Sequence, residues 1–289
     1  MTIGLLVHNA ERTMRETIES VLAQTYENFT LVLSDDASTD TSVQICRDYS
    51  AADSRVRVQA HAENLGGIGN FNSVVAGADD GYFVWLSDHD LWLPEYLDAC
   101  VSALEARPDA VLCYTAQSTI DVAGTETAVS HEKFDTCGQN QKARFALTAW
   151  GVPANTACIY GVLRVGALRQ LRSFPNIYPS AVAPDVLLLL QLAMLGEFLH
   201  IDRPLYQLRT LSDHHSTPRQ YLARLRLTPR SRLDALRSFG RMVLLGVSDV
   251  WFYAGSWRKR AILVPTFLLA ITRYEILLDD MLKAVGDRR

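Results

Sequence analysis

Short apolar runs, continuous rather than alternating, recur through residues 1–90. "IGLLVHN", "FTLVLSDD" and "GYFVWLSD" each predict a strand buried on both faces, and "VRVQAH" predicts a further strand. Between them the apolar spacing turns helical. "AERTMRETIESVLAQTY" sets Met14, Ile18, Val21 and Leu22 on one face. "DDASTDTS" offers N-cap residues to a helix over "TSVQICRDYSAA". "ENLGGIGN" predicts a glycine-rich turn, and "FNSVVAGAD" a short helix after it. Strands alternating with helices predict a parallel α/β sheet with right-handed crossovers. Beyond residue 110 the pattern loosens. "AVLCYTAQSTIDVAG" predicts a strand and turn, and "NQKARFALTAWGVPANTACIYGVLRVGALRQL" a helix, a loop, then a strand leading into a helix. "SAVAPDVLLLLQLAMLGEFLHIDRPLYQLRT" predicts a loop, a buried helix, and a short strand after Gly196.

Ligands of such sheets bind beyond the carboxyl ends of the strands. The polar groups of the first hundred residues fall there: His8-Asn9, Asp35-Asp36, Asn64 to Asn72, and Asp88 to Asp90. Ser38, Thr39 and Asp40 are explained as helix caps. Asp88 and Asp90 need more, because like charges at the end of a buried strand require a counter-charge. On extended chain, alternate residues point the same way. Asp88 and Asp90 could then share a Mg²⁺ or Mn²⁺ ion, which takes oxygen ligands and keeps waters and substrate phosphates. His89 between them would point to the opposite side.

Composition narrows the class. With 289 residues, 48% hydrophobic and 21% charged, the chain can bury a core. Its five scattered cysteines lack a C-x-x-C pair, which fits a reducing compartment. "MTIGLLVHNAERT" does not read as a secretory signal. The net charge of −4 divides unevenly: residues 216–289 hold 14 Lys and Arg against 6 Asp and Glu. No G-x-x-x-x-G-K-[ST] loop is present.

Three stretches resemble glycosyltransferase family 2, whose members have the α/β GT-A fold: "LLVHNAERTMRETIESVLAQTYENFTLVLSDDASTDTS", "ENLGGIGNFNSVVAGADDGYFVWLSDHDLWLPEYL" and, less tightly, "PDVLLLLQLAMLGEF". The resemblance implies a metal-dependent, inverting hexosyl- or deoxyhexosyltransferase. It would use a UDP-, GDP- or dTDP-linked sugar and act on a glycan or lipid-linked glycan in cell-surface polysaccharide or glycolipid synthesis. The family's Tyr-Asn pair beside the base is His8-Asn9 here, with Glu11 close behind. The resemblance places Asp36 at the base and Asn72 near the pyrophosphate, and counts Asn64 and Gly66 among the nucleotide-sugar-binding residues; the family's Arg before Asn72 is Phe71. Its D-x-D motif falls on Asp88 and Asp90, with Asp90 as the direct metal ligand and Asp88 nearer the ribose and the metal's waters. The general base falls on Asp185, and a diphosphate-closing loop on Arg209 with His214 or His215.

The implied division is a GT-A domain over 1–215 (donor half 1–110, acceptor half 111–215) and a basic, amphipathic helical extension over 216–289. That extension mixes Arg with aromatics. Its longest apolar run, "AILVPTFLLAIT", is too short to span a bilayer. It could lie on an anionic membrane, pack on the core, or form a homodimer interface. The expected location is the cytoplasm, with peripheral attachment to the inner face of the membrane; nucleic acid is not an expected partner. Two other readings remain: a nucleotidyltransferase, and an inactive nucleotide-binding relative that partners another transferase.

Overall fold

The computed structural model describes residues 1–130, 134–151, 156–174, 184–210 and 232–271. The predicted alternation opens the chain: β1 (Thr2–Val7), α1 (Met14–Leu22), β2 (Thr30–Asp35), α2 (Ser42–Ala52), β3 (Val56–Ala60), α3 (Gly66–Ala76) and β4 (Tyr82–Ser87). The elements β5 (Leu91–Trp92), α4 (Tyr96–Ala106), β6 (Ala110–Ile120) and β7 (Glu126–Ser130) follow. Then come α5 (Gln141–Gly151), a 3₁₀ turn (Thr156–Tyr160), β8 (Val162–Arg164), α6 (Val165–Leu168), α7 (Pro184–Leu195) and β9 (Glu197–Arg209). Two helices, α8 (Arg232–Tyr253) and α9 (Trp257–Ile271), close the described chain.

One sheet runs β3-β2-β1-β4-β8-β6-β9-β5, with β7 paired on β6. Strands β3, β2, β1 and β4 are parallel, and β8 is antiparallel to both β4 and β6. The parallel β1, β2 and β4 therefore send their carboxyl ends to one edge. Their residues are nearly all buried, as continuous apolar runs require of strands covered on both faces.

Two apolar clusters cover the sheet. One holds Met14, Ile18 and Val21 of α1 with Ile45 and Cys46 of α2 and the α4 face Tyr96, Leu97, Cys100. The other joins Phe83, Trp85 and Leu112 of the sheet to α5, α7, α8 and α9, through residues such as Phe145, Leu188, Val250 and Phe267. Of the three settings proposed for the basic extension, packing on the core is the one seen for α8 and α9. Gly246 permits it: a Cβ there would stand 1.9 Å from Phe267 Cζ.

Three local expectations change. Part of the glycine-rich "turn" is the first turns of α3. Gly66 adopts φ 76° at its start, where a side chain would be strained, and the helix runs on through the predicted "FNSVVAGAD" segment. The "short strand" after Gly196 is thirteen residues long. The solvent-facing β7 was not foreseen, because its "ETAVS" lacks an apolar run.

Candidate active site

The turn after β1 and the loop after β2 interlock. Asn9, in the left-handed region at φ 54°, accepts hydrogen bonds at Oδ1 from Thr39 N (2.8 Å) and Thr39 Oγ1 (3.3 Å). The Asn9 amide donates to Ser38 Oγ (2.9 Å), and the Ala10 amide to Ser42 Oγ (2.9 Å). Glu11 Oε2 accepts from Thr41 N (3.2 Å) and Thr41 Oγ1 (2.7 Å). Asn9 and Glu11, read from sequence as donor-binding groups, thus spend these atoms on framing the site.

His8 is the exposed residue at its centre. Its backbone N–H donates to Asp88 Oδ2 (3.1 Å), its Nδ1 lies 3.0 Å from the Asp36 carbonyl oxygen, and Asn64 Nδ2 lies 3.3 Å from its Nε2. Asp36 is buried and its Oδ1 accepts from Leu65 N (2.5 Å), at the start of α3, where the helix dipole favours an anion. Strands β1, β2 and β4 and helix α3 therefore meet at His8, Asp36, Asn64 and Asp88. Asn72 lies further along α3, half-buried. A polar knot that the sequence did not signal fixes α3 on β2: Ser34 Oγ donates to Asn70 Oδ1 (2.5 Å), and Asn70 Nδ2 returns a bond to Ser34 O (3.0 Å).

The acidic pair departs from expectation. Residues 88 and 89 form a turn rather than extended chain, so the alternation that would point both carboxylates the same way does not hold. His89 is not on the opposite side. Its Nδ1 stands 2.9 Å from Asp88 Oδ1, and its Nε2 stands 3.9 Å from Asp90 Oδ1. Burial disfavours its charged form, but the hydrogen bond to Asp88 and the charges of Asp90 and Asp88 outweigh burial and raise its pKa. When protonated, the imidazole is a counter-charge within reach of both acids.

Asp90 is 1% exposed and both its oxygens are engaged. Oδ2 accepts from the Tyr206 hydroxyl (2.7 Å), and Oδ1 from Arg209 N (2.9 Å). Burial pushes its carboxyl pKa up, against the pull of His89, Tyr206 and the Arg209 amide. The more open carboxylate is that of Asp88, with 19% of its side chain exposed. The ranking of Asp90 over Asp88 as metal ligand therefore does not follow from this geometry. Arg209 is also redirected. Its guanidinium, 1% exposed, donates to Glu16 Oε2 (2.5 Å), His89 O (2.9 Å) and Val122 O (2.9 Å) instead of standing free for a diphosphate. Tyr206 and Glu16 were missed, because an alternating strand and a helix surface explain them locally.

Asp185 stands half-buried in the first turn of α7, within electrostatic reach of the buried Cys158, whose thiol pKa is raised by burial first and by Asp185 second. His214 and His215 lie outside the described residues. Among the described residues, no group of three or more His, Cys, Asp and Glu is placed to cage a metal. The donor chemistry still suits Mg²⁺ or Mn²⁺: Asp88 offers a hard oxygen, and such ions draw their remaining ligands from water and phosphates.

The model of glycosyl transferase family 2 matches residues 2–167, which contain this whole strand-end cluster. The chain belongs to glycosyl transferase family 2. It is a glycosyltransferase by family, with the GT-A fold. EpsE of Bacillus subtilis, named as a glycosyltransferase, is 28% identical over 209 residues, covering 72% of each chain. An uncharacterized protein of Sinorhizobium fredii, y4gI, is 32% identical over 67% of this chain, which spans only 20% of that protein's length. WfgD of Escherichia coli, named a UDP-Glc:alpha-D-GlcNAc-diphosphoundecaprenol beta-1,3-glucosyltransferase, is 31% identical over 34% of this chain and 38% of its own. Among solved structures, S. aureus TarS 1–349 aligns with a TM-score of 0.64 at 16% identity, covering 99% of this chain and 81% of that one. A mannosyltransferase of Pyrobaculum calidifontis, solved with GDP-Man and Mn²⁺, aligns at 0.54 and 15% identity, over 99% and 86%. TarS has also been solved with UDP-GlcNAc, in a form aligning at 0.56 and 15% identity, over 99% and 90%. No helix among the described residues is long and apolar enough to cross a membrane.

Proposed function

We propose that this family 2 glycosyltransferase moves a sugar, with inversion, from a nucleoside-diphosphate donor to a hydroxyl of a glycan or lipid-linked glycan. The observation that carries the proposal is the convergence of His8, Asp36, Asn64 and Asp88 at one carboxyl edge of parallel strands. The imidazole face of His8 is the stacking platform for the base, and the Asn64 amide a hydrogen-bond donor beside it. Asp88 would hold a divalent cation, with Asp90 fixing its turn. Such an ion supplies charge neutralisation to a leaving diphosphate. The fold relatives solved with UDP-GlcNAc, and with GDP-Man and Mn²⁺, support this donor class. WfgD, named for a diphosphoundecaprenol acceptor, supports a lipid-borne one.

Asp185 is the general base. It takes the proton from the acceptor hydroxyl as that oxygen attacks the anomeric carbon. The bond from that carbon to the diphosphate oxygen breaks, its electron pair leaves with the nucleoside diphosphate, and configuration inverts. Asp185 lies in the first turn of α7, where the helix dipole favours an anion.

Calorimetric titration with UDP, GDP and dTDP, each with and without Mn²⁺, tests the donor site. One nucleotide should bind, and binding should need the metal. Asp88→Asn should weaken it by about tenfold or more. Asp185→Asn should leave nucleotide affinity within about twofold and lower transfer by roughly 10²–10⁴. Equal nucleotide affinity in wild type and Asp88→Asn would remove Asp88 from the metal site. An Asp185→Asn protein with full transfer would remove the base.

A further inference from the structure

Helices α8 and α9 bury Val250, Ala254, Leu263, Phe267 and Ala270 in the core. A helix pair that buries one side should be polar on the other. Here the outward side is apolar as well. Leu244, Trp251, Phe252, Trp257, Ile262 and Leu268 are 72, 55, 56, 71, 48 and 44% exposed. Trp251, Phe252 and Trp257 flank the turn between the helices, and Ile262 and Leu268 share the outer face of α9 with Arg258, Ala261 and Pro265. Clustered exposed aromatics of this kind mark a docking surface, not chance exposure of single residues.

The charges select the occupant. Arg237, Arg241 and Arg258 are exposed, and residues 232–271 hold six Lys and Arg against two Asp and Glu. The cations stand over the aromatics: the Arg260 guanidinium lies 4.6 Å from the Trp251 ring, that of Arg172 4.8 Å from Phe252, and that of Arg258 5.7 Å from Trp257. Trp paired with Arg beside Leu and Ile is the composition of a surface seated among anionic lipid headgroups. A second copy of the chain fits poorly, because a two-fold contact would turn the same arginines on each other.

We propose that the outer face of α8 and α9 docks this protein flat on an anionic lipid bilayer. Trp251, Phe252, Trp257, Ile262 and Leu268 enter the interfacial layer, and Arg237, Arg241 and Arg258 meet lipid phosphates. The inference rests on this face alone and is independent of the donor assignment.

Vesicle flotation of the full chain tests it, using phosphatidylglycerol–phosphatidylcholine vesicles against phosphatidylcholine alone. The chain should float with the anionic vesicles and lose about tenfold or more of that binding in high salt. Trp257→Ser with Leu268→Ser, and separately Arg241→Glu with Arg258→Glu, should each lower partition about tenfold. Circular dichroism confirms that each variant is folded, and the two pairs are scored independently. Equal binding to both vesicle types, or wild-type partition in both folded double variants, overturns the proposal. So does loss of a dimer on mutation, with no change in vesicle binding, since the face would then serve self-association.

Discussion

At the scale of single residues, strain is stored in the turns after β1 and β2. Asn9 and Ala37 both sit in the left-handed region, at φ 54° and 55°. Asn tolerates that conformation by bonding locally, and Asn9 does so with Thr39. Ala37 has no polar side chain to offset it. Ala37→Gly should therefore stabilise the protein by about 0.5–1 kcal/mol, net of the extra freedom of glycine in the unfolded chain. In a chain of this size the melting temperature should rise by about 1–3 °C. A melting temperature that falls would show that Ala37 is not strained. Residue by residue, the strand-end acids stood out in the sequence because a carboxylate after a buried run needs a partner. Their partners were not. Nothing local links Asp90 to Tyr206, 116 positions away, or Glu16 to Arg209, 193 positions away. The single spacing argument applied to Asp88 and Asp90 also failed, since it assumed extended chain where a turn forms around His89.

At the scale of elements, periodicity located the βα units of the first hundred residues well, because β1, β2 and β4 are covered on both faces and read as apolar runs. It did less well where one apolar surface serves several helices at once. Helices α5, α7, α8 and α9 form such a layer, and within it Gly246 of α8 lets the Phe267 ring of α9 approach too closely for any side chain. Gly246→Ala drives a methyl group into that ring and should cost roughly 1–3 kcal/mol. Phe267→Leu in the same chain should recover part of the loss, as two contacting residues couple non-additively. Denaturant titrations of the two single variants and the double variant measure this. Purely additive effects would mean that α8 and α9 do not meet at this point.

At the scale of the whole molecule, a boundary near residue 215 follows from charge and composition, yet the core disregards it. Phe83 and Trp85 of the central sheet share one cluster with Val250 and Phe267. The apolar residues of α8 and α9 would be left bare without the sheet layer, and that layer without them. Thermal unfolding should therefore show one transition by both near- and far-ultraviolet circular dichroism. Two well-separated transitions would restore the helical extension as an independent unit. Charge patterning divided the chain by partner, which is a property of surfaces; cooperative folding follows the buried contacts.

The strut formed by Tyr206, Arg209 and Glu16 bears on how such a protein can be rebuilt. The end of β9 holds Asp90 through the Tyr206 hydroxyl and the Arg209 amide, and Arg209 then crosses to Glu16 of α1. A chimaera that takes residues 1–110 from a relative would bring a new acidic turn and a new α1 without the strand that braces them. If the proposed donor site holds, the interchangeable piece for altering donor choice is discontinuous: the amino-terminal βα units together with the end of β9, exchanged as a set.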